Sequence, residues 1–304
     1  MGRQIWANGQ ILPESEARVS IYDSGSLYGD SIFEMMRTYN RRTFKLSEHI
    51  DRLYASAKYV EIDIPYSKYE IFSAHENLLI ENRHDFDEHD EIRSLINVSR
   101  GSLPIYERIV PRGTQVMIAC FPLSWIIPHA YKVYSEGISA IIPAQRAIPA
   151  QFLEPKVKNR SRLHYRMAEL DVKRQNPDAW ALLLDPDGFI AEGTGSNVFI
   201  VKNRELYTPQ PRNILRGISR KYVMALARRL KIKVFERNME LYDIMEADEV
   251  FFTNTPWSIV PVISINGMLI GNGRPGRFTK YLTYKWSADI SCDFVNNTKR
   301  CQDT

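Results

Sequence analysis

The first third of the chain alternates short apolar runs with polar turns. Apolar runs at residues 4–7 and 10–12 flank Asn8-Gly9, a dipeptide that tolerates the positive backbone angles of a tight turn. This pattern predicts a β-hairpin at the start of the chain. Residues 32–39 and 43–46 repeat the arrangement and predict a second hairpin.

The segment after the second predicted hairpin has the periodicity of a helix. Apolar side chains recur there at the spacing of one helical face, at Ile50, Leu53, Tyr54 and Ala57. Ser47 precedes this stripe and is the predicted N-cap. Arg52 lies off the stripe, so we expect its side chain to point away from the packed face.

The second half of the chain is predicted to form a separate domain. An apolar strand at residues 116–120 runs into a segment with two prolines, residues 121–129, which is typical of a link between domains. Beyond it we predict strands at 179–184 and 197–201 and helices at about 162–175 and 219–230. The chain is therefore expected to have a mixed α/β fold with an N-terminal domain of residues 1–120, a linker of residues 121–130 and a C-terminal domain of residues 131–304.

The composition agrees with a soluble protein and does not indicate a nucleic-acid-binding or membrane protein. The 304 residues are 44% hydrophobic and 25% charged, and the net charge of +4 arises from 40 basic and 36 acidic residues that are interleaved along the chain. No apolar run approaches the roughly 20 residues that span a bilayer, and the N-terminus lacks the apolar core of a signal peptide. We therefore expect a cytoplasmic protein with no nucleic-acid or membrane partner.

Neither the cysteines nor the acidic residues predict a disulfide or a metal site. Cys120, Cys292 and Cys301 are odd in number and widely spaced, so free thiols in a reducing compartment are expected. A crowded set of potential ligands lacks a regular spacing and is more typical of a solvated loop: His84, Asp85, Asp87, Glu88, His89 and Asp90.

Three segments, together with the earlier Arg52, carry the candidate chemistry. Lys156 and Lys158 lie in an extended segment, and 34 residues after Lys158 the chain has the turn Glu192-Gly193-Thr194-Gly195-Ser196-Asn197. A pyridoxal phosphate enzyme needs an amine for the aldehyde, a carboxylate for the ring nitrogen and an anion site for the phosphate. The later loop Leu215-Arg216-Gly217-Ile218-Ser219-Arg220 and the earlier Arg52 are candidates for the anion site.

The order of these segments along the chain and their amino-acid sequences resemble those of the fold type IV, or class IV, aminotransferases. This family includes branched-chain and D-amino acid aminotransferases, R-selective amine transaminases and aminodeoxychorismate lyase. The resemblance extends from about Ile5 to about Tyr284; residues 48–57 are similar to the D-amino acid branch, whereas residues 247–251 and 253–262 are similar to the branched-chain branch. It implies a two-domain fold type IV enzyme that binds pyridoxal 5'-phosphate in its C-terminal domain and forms a homodimer.

Lys158 is the cofactor lysine that the resemblance implies. Periodicity alone leaves Lys156 and Lys158 equivalent, because residues two apart in an extended segment face the same side. The spacing from Lys158 to Glu192 is similar to that of branched-chain enzymes, and Val157-Lys158-Asn159 resembles the R-selective amine transaminases. A solvated surface lysine is the alternative interpretation.

The resemblance also implies a set of cofactor-binding residues: Arg52, Glu192, Leu215, Gly217, Ile218, Ser219, Thr255 and Tyr165. Glu192 would keep the ring nitrogen protonated, and the amides at the start of a helix near Ser219 would bind the phosphate together with Arg52 and Thr255. A turn residue and an ordinary helix cap are the alternative interpretations of Glu192 and Ser219. Pro256 lacks the N–H that the family often offers at this position.

No tyrosine occupies the position that contacts the cofactor's phenolic oxygen in branched-chain enzymes. That position lies five residues past the lysine and is Leu163 in this chain. Tyr165 is the substitute that we name, with packing in the core as the alternative interpretation.

The substrate-binding positions implied by the resemblance are Tyr28, Phe33, Arg37 and Arg93, with Arg93 at the start of a predicted edge strand. The Arg-x-His pair that binds the carboxylate in the D-amino acid branch is replaced by Ile105 and Glu107. We therefore expect amino transfer from an L-amino acid with an apolar side chain to a 2-oxo acid such as 2-oxoglutarate. The alternatives are a D-amino acid or R-amine transaminase, a lyase of the aminodeoxychorismate type, and a protein that stores or senses pyridoxal phosphate. Surface ion pairs are the alternative for the two arginines.

Overall fold

The structure is a computed structural model that describes residues 2–106, 108–109, 113–127 and 130–300, with only the backbone of residues 299 and 300. The chain forms two compact units, the first from Met1–Ile126 and Val157–Arg162 and the second from Ile127–Lys156 and Leu163–Thr304. The predicted domain boundaries stay a prediction, although the segment with Lys158 packs within the first unit. Glu107, His129 and Cys301, which the sequence arguments used, lie outside the described residues.

The first unit is built on an antiparallel sheet. Its strands in the described part of the chain are β1 Gln4–Ala7, β2 Gln10–Pro13, β3 Ser31–Tyr39, β4 Arg42–Thr43, β5 Ile92–Ser99 and β6 Gln115–Pro122. Their order across the sheet is β2-β1-β6-β5-β3-β4. The hairpin predicted around Asn8-Gly9 is confirmed as the pair β1 and β2.

The position of β5 corrects one prediction. Arg93 was expected at the start of an edge strand, but β5 is hydrogen-bonded to β6 along one side and to β3 along the other. An interior strand presents neighbours to every side chain, so Arg93 is 8% exposed. Whether a strand lies at the edge or in the interior of a sheet depends on pairing with segments that are distant in sequence. The local sequence pattern carries no information about that pairing.

Three helices accompany this sheet: α1 Ser24–Tyr28, α2 Leu46–Tyr59 and α3 Lys68–Glu81. The predicted stripe on α2 packs into the core, with Ile50, Leu53 and Ala57 buried against Ile32 and Met36 of β3. The side chains of Ile32 and Met36 point to one face of β3 because successive residues of a strand alternate.

The start of α2 differs from the prediction. The helix begins at Leu46, so Ser47 is inside the first turn and Lys45 is the N-cap residue with a left-handed φ of 57°. The second hairpin is correspondingly shorter than predicted, because β4 covers only residues 42–43 and residues 44–46 are not part of it. Lys45 turns the chain directly from the hairpin into the helix.

The second unit contains a larger mixed sheet. Its described strands are β7 Ile138–Ile141, β8 Trp180–Leu184, β9 Ile190–Gly193, β10 Asn197–Lys202, β11 Glu205–Thr208, β12 Val234–Glu236, β13 Glu249–Asn254, β14 Ser258–Ile265 and β15 Met268–Leu269. The order is β12-β11-β10-β13-β14-β7-β8-β9, with β15 beside β14. Strand β9 also pairs with β10, which sets Glu192 opposite Asn197.

The helices of this unit in the described residues are α4 Ala130–Glu136, α5 Leu163–Gln175, α6 Ile218–Arg229, α7 Leu241–Met245, α8 Arg277–Asp289 and α9 Phe294–Arg300. The two helices predicted for this half of the chain, α5 and α6, are confirmed within one residue of their expected starts. None of the helices that the structure describes has the length and apolar composition needed to cross a membrane.

Candidate active site

The segment that carries Lys158 runs beside the first residues of β3. The amide of Phe33 donates to the carbonyl of Lys158 at 2.9 Å, and the amide of Arg160 donates to the carbonyl of Ser31 at 2.9 Å. Val157 anchors the segment because its side chain is buried in the core of the first unit. The Lys158 Nζ atom then lies 4.7 Å from the centre of the Phe33 ring.

The neighbouring lysine has a different environment. Lys156 belongs to the second unit, where its Nζ atom forms an ion pair with Glu154 at 2.5 Å. Lys158 Nζ lies instead over the ring of Phe33, a residue that shares one face of β3 with Arg37. Lys158, rather than Lys156, is therefore the lysine that lies beside the predicted substrate-binding residues of β3.

Glu192 is a buried carboxylate that accepts three hydrogen bonds. Its Oε1 accepts from the Tyr165 hydroxyl at 2.9 Å, and its Oε2 accepts from Asn197 Nδ2 and the Leu215 amide, both at 3.0 Å. Hydrogen bonds to the charged form of a carboxylate favour that form. Glu192 is thus held in one orientation by β10, by α5 and by the loop before α6.

The bond from Tyr165 changes the interpretation of that residue. We named Tyr165 with core packing as the alternative, and its ring does pack against a core cluster of the second unit. Its hydroxyl, however, donates a hydrogen bond to Glu192. Leu163, two residues earlier, is the first residue of α5 and is 74% exposed.

The start of α6 presents backbone amides without intrahelical acceptors. The first backbone bond of the helix runs from the Lys221 amide to the Gly217 carbonyl, so the amides of Ile218 and Ser219 precede the hydrogen-bonded turns. The amide of Gly217, which we expected to be available as well, donates to the Leu215 carbonyl. The helix start thus offers the amides of Ile218 and Ser219, in a position that suits an anion.

Two contacts join this helix start to its surroundings. Ser219 Oγ donates to the Asn254 carbonyl at 3.0 Å, which brings the residue before Thr255 to the helix. A Cβ atom on Gly217 would overlap Asn197 Oδ1, at a separation that real side chains do not show. Asn197 consequently fixes both Glu192 and the loop that opens α6, and residue 217 has to be glycine.

Arg52 forms a bidentate ion pair with Glu34 inside the first unit. Its Nε and Nη2 atoms donate to the two oxygens of Glu34 at 2.6 and 2.7 Å, and His49 Nδ1 lies 2.7 Å from the same carboxylate. Burial raises the pKa of Glu34, but Arg52 and His49 outweigh burial and hold this pKa at about 2. Burial lowers the pKa of His49. Arg52 is thus oriented by a fixed carboxylate rather than left to point into solvent.

Arg37 and Arg93 are neighbours across β3 and β5. Both are buried, so neither has the exposure of a surface ion-pair partner. Arg37 Nε donates to the Thr38 carbonyl, while Arg93 Nη2 lies 3.1 Å from the sulfur of Met35. Within the described residues, Nε and Nη1 of Arg93 are buried with no hydrogen-bond partner. Burial and the adjacent Arg37 lower the pKa of Arg93 to about 10.

Tyr28 and Phe33 differ in burial. Phe33 is buried, whereas Tyr28 at the end of α1 is 67% exposed and its carbonyl accepts from Ser161 Oγ at 3.4 Å. Three polar residues that sequence reasoning did not single out also belong to these arrangements: Asn197, Asn97 and Arg160. A signal for Asn197 was its place directly after the glycine turn that begins at Glu192.

The residues present fit pyridoxal phosphate. The second unit supplies a buried carboxylate held by three donors and a helix start with amides outside the hydrogen-bonded turns, and the first unit supplies a lysine on an apolar ring and an oriented arginine. These are the groups required by a ring nitrogen, a phosphate and an aldehyde. Among the described residues, no group of His, Cys, Asp and Glu side chains is arranged to hold a metal ion.

Comparison with known proteins identifies the family. The model of amino-transferase class IV matches residues 31–265. A putative branched-chain-amino-acid aminotransferase of Methanocaldococcus jannaschii is 40% identical over 285 residues, which are 93% of this chain and 95% of the relative. A D-alanine aminotransferase of Bacillus licheniformis is 34% identical over 279 residues, 91% of this chain and 93% of the relative.

A solved structure agrees with these relatives. The branched-chain amino acid aminotransferase of Escherichia coli has a TM-score of 0.85 at 27% identity, over 96% of this chain and 94% of that chain. Its mixed α/β fold is the fold type IV architecture that the resemblance implied. The chain therefore belongs to the class IV aminotransferases, and it is a pyridoxal phosphate-dependent aminotransferase.

Proposed function

We propose that this aminotransferase transfers the amino group of L-amino acids with apolar side chains to 2-oxoglutarate. The observation that carries the proposal is the pair Arg37 and Arg93, buried side by side with two guanidinium nitrogens of Arg93 lacking a partner in the described part of the chain. A buried cation of this kind is costly unless an anion neutralises it. The distal carboxylate of 2-oxoglutarate is the proposed anion.

Apolar residues that would contact an apolar donor lie on the face of β3 that carries Arg37. Side chains of Phe33, Met35 and Arg37 share that face because they alternate along the strand, and Leu95 pairs with Met35 across β5. We define the arginine face as Phe33, Met35 and Arg37 of β3 together with Arg93, Leu95 and Asn97 of β5. Met35 and Leu95 in the middle of this face would contact the apolar side chain of the donor. Arg37 and Arg93 at one end would bind a carboxylate.

Lys158 is the proposed catalytic residue. Its Nζ atom would bind the cofactor's aldehyde covalently, and once displaced by the donor amine it would carry the proton removed from the substrate Cα. Bound pyridoxal phosphate supplies an electron sink for the pair left on that carbon. The contact of Lys158 with Phe33 supports this role because it places the amine beside the arginine face.

The remaining proposed roles concern binding. Glu192 would hold a proton on the ring nitrogen, with Tyr165 and Leu215 keeping the carboxylate in place. The amides of Ile218 and Ser219 would bind the phosphate, with Thr255 beside them and Arg52 as a charged donor. Gly217 would permit the close approach of the loop.

Assembly and compartment are also proposals. A homodimer is supported by the exposed apolar side chains of Val19, Ile21, Leu27 and Tyr28, which a second copy would cover. A cytoplasmic location is supported by Cys120 and Cys292, which are buried free thiols.

A second candidate function is transfer from D-amino acids, because the D-alanine aminotransferase of Bacillus licheniformis is 34% identical over most of this chain. A panel of L- and D-donors with 2-oxoglutarate separates the candidates. Faster turnover of L-leucine or L-valine than of any D-amino acid is the expected result. Preference for D-alanine, or for amines without a carboxylate, would overturn the proposed substrate class while leaving the family intact.

Reduction of the loaded enzyme with borohydride tests the catalytic residue. We expect the cofactor to be fixed to the peptide that contains Lys158, and Lys158→Ala to lose turnover by several orders of magnitude. Lys156→Ala is the matched control, two residues away and ion-paired with Glu154, and it should retain labelling and most of the activity. Labelling of Lys156 would overturn the assignment.

A further inference from the structure

A cavity of about 480 Å³ lies in the first unit, and no proposed role uses it. Its lining includes one residue of the segment that carries Lys158, together with polar residues of β5 and of the N-terminal loop: Arg160, Asn97, Ser99, Arg18, Ser20 and Asp23. A cavity of this volume accepts a small organic molecule.

Arg160 is the fixed cation of this cavity. Its Nε atom donates to Asn97 Oδ1 at 3.0 Å, and its guanidinium carbon lies 3.8 Å from the centre of the Phe33 ring. Phe33 and Asn97 are themselves cross-strand neighbours on the arginine face. A guanidinium stacked on a ring and hydrogen-bonded at Nε presents its remaining N–H groups in one direction.

The described residues do not neutralise Arg160. They offer it no ion pair, and Asn97 is the partner of its one side-chain hydrogen bond. Asp23 also lines the cavity, but its two oxygens accept from the Gly25 amide at 2.7 Å and the Ser99 hydroxyl at 2.8 Å. Burial and the neighbouring Arg162 lower the pKa of Arg160 to about 10, so the side chain stays cationic at neutral pH.

The second cation of the cavity is already engaged. Arg18 Nη1 donates to the carbonyls of Ser15 and Ala17 in its own loop, and these bonds are exposed to solvent. Arg160 is therefore the cation best placed to receive an anion that enters this cavity.

Phe33 connects Arg160 to the reacting centre. The Lys158 Nζ atom and the Arg160 guanidinium both contact this ring, at 4.7 and 3.8 Å from its centre. The two cations are thus no farther apart than the sum of those distances. In an amino acid or 2-oxo acid, one carboxylate is bonded directly to the carbon that reacts at the cofactor, so that carboxylate has to lie close to Lys158.

We propose that Arg160, oriented by Asn97 and Phe33, binds the carboxylate attached to the reacting carbon of the substrate. This inference rests on the proposed function, and it assigns Arg160 to one end of the arginine face and the Arg37–Arg93 pair to the other. A guanidinium supplies two parallel N–H donors to a carboxylate.

Calorimetric titration with an unreactive carboxylate tests the assignment in the loaded enzyme. The probe is 4-methylvaleric acid, which has the carbon skeleton of leucine without the amino group, and 4-methylvaleramide is its uncharged counterpart. Arg160→Met keeps the length of the side chain and the contact with Phe33 but removes the charge. We expect the acid to bind about 10- to 100-fold more weakly to this variant and the amide to bind unchanged.

Two further variants sharpen the result. Arg18→Met removes the other cation of the cavity and should leave the affinity for the acid at the wild-type level. Arg160→Lys should restore part of that affinity, because it returns the charge without the forked geometry. Unchanged acid affinity in Arg160→Met, equal weakening in Arg18→Met, or no binding of the acid to the wild type would each overturn the proposal.

Borohydride labelling in the same preparations separates this proposal from the function on which it rests. Labelled Lys158 with unchanged acid affinity in Arg160→Met overturns only the role of Arg160. Absence of labelling at Lys158 in the wild type overturns the proposed catalytic role.

Discussion

The two faces of strand β3 differ in whether a buried charge lies beside a charge of opposite sign. On the face toward α2, the carboxylate of Glu34 is matched by Arg52 and His49 within hydrogen-bond distance. On the other face, Arg37 lies beside Arg93, and the two side chains carry the same charge. Glu34, His49, Arg37 and Arg93 are all buried, so burial alone does not distinguish the two faces.

The difference separates buried charges that are neutralised within the protein from buried charges that a ligand would neutralise. The Glu34 cluster is complete in itself, since every carboxylate oxygen has a donor. The Arg93 guanidinium keeps two buried nitrogens without partners among the described residues. Like charges in a poorly solvated site cost stability, and such local conflicts are typical of functional sites.

The largest expected effect comes from breaking the matched pair. Glu34→Gln leaves the buried charge of Arg52 without its carboxylate and should lower the free energy of unfolding by about 3 to 5 kcal/mol. Urea denaturation of the cofactor-free protein measures the change. Glu48→Gln on α2, the helix that carries Arg52, is the control, because the partner Lys45 is exposed and the loss should stay below about 1 kcal/mol. Equal effects of the two variants would contradict the comparison.

The second effect is a dependence of stability on acid pH. The pKa of Glu34 is about 2 in the folded protein against a usual value of 4.5, so its contribution is fully present above pH 4.5 and is lost as the pH falls toward 2. The loss should be on the order of 3 kcal/mol. It is measured as the difference in unfolding free energy between the wild type and Glu34→Gln across this range, and a difference independent of pH would show that Glu34 is not charged.

The smallest expected effect has the opposite sign. Arg93→Met replaces a buried cation by an apolar side chain of similar length and should raise the stability of the cofactor-free protein by about 1 to 2 kcal/mol. The same variant should bind 2-oxoglutarate some 30-fold more weakly, because its distal carboxylate loses a partner. Denaturation and the acceptor KM measure the two changes.

A neighbouring arginine provides the control for that variant. Arg100 is paired with Asp30 at 2.7 Å and donates to the carbonyls of Val60 and Glu61. Arg100→Met should therefore destabilise the protein and leave the acceptor KM near the wild-type value. Destabilisation by Arg93→Met would show that the arginine face is as well matched as the Glu34 cluster.

Elements whose pattern is local were predicted well. Asn8-Gly9 specifies its own turn, and α5 and α6 begin within one residue of their predicted starts. The N-cap of α2 was wrong because Ser47 has a suitable side chain but lies inside a helix that Lys45 begins. The interior position of β5 was missed because it depends on pairing with β3 and β6, which are distant in sequence.

Partners within the site were harder to predict than the site residues themselves. The resemblance supplied Glu192 and Tyr165 separately, but the bond between them follows from the packing of α5, which directs the Tyr165 hydroxyl. No role was predicted for Arg160. Its contacts with Asn97 and Phe33 join residues more than 60 positions apart in the chain, and no periodicity reports such a contact.

The way the chain is shared between its two compact units limits how the protein can be divided. The polypeptide passes from one unit to the other after Ile126, after Lys156 and after Arg162. A gene truncated after codon 126 would encode the first unit without the six residues that contain Lys158, and the remaining fragment would carry those residues without the sheet that supports them. The first unit is therefore not one contiguous block of the chain, and an exchange of residues 1–126 alone would separate Lys158 from the strand it runs beside.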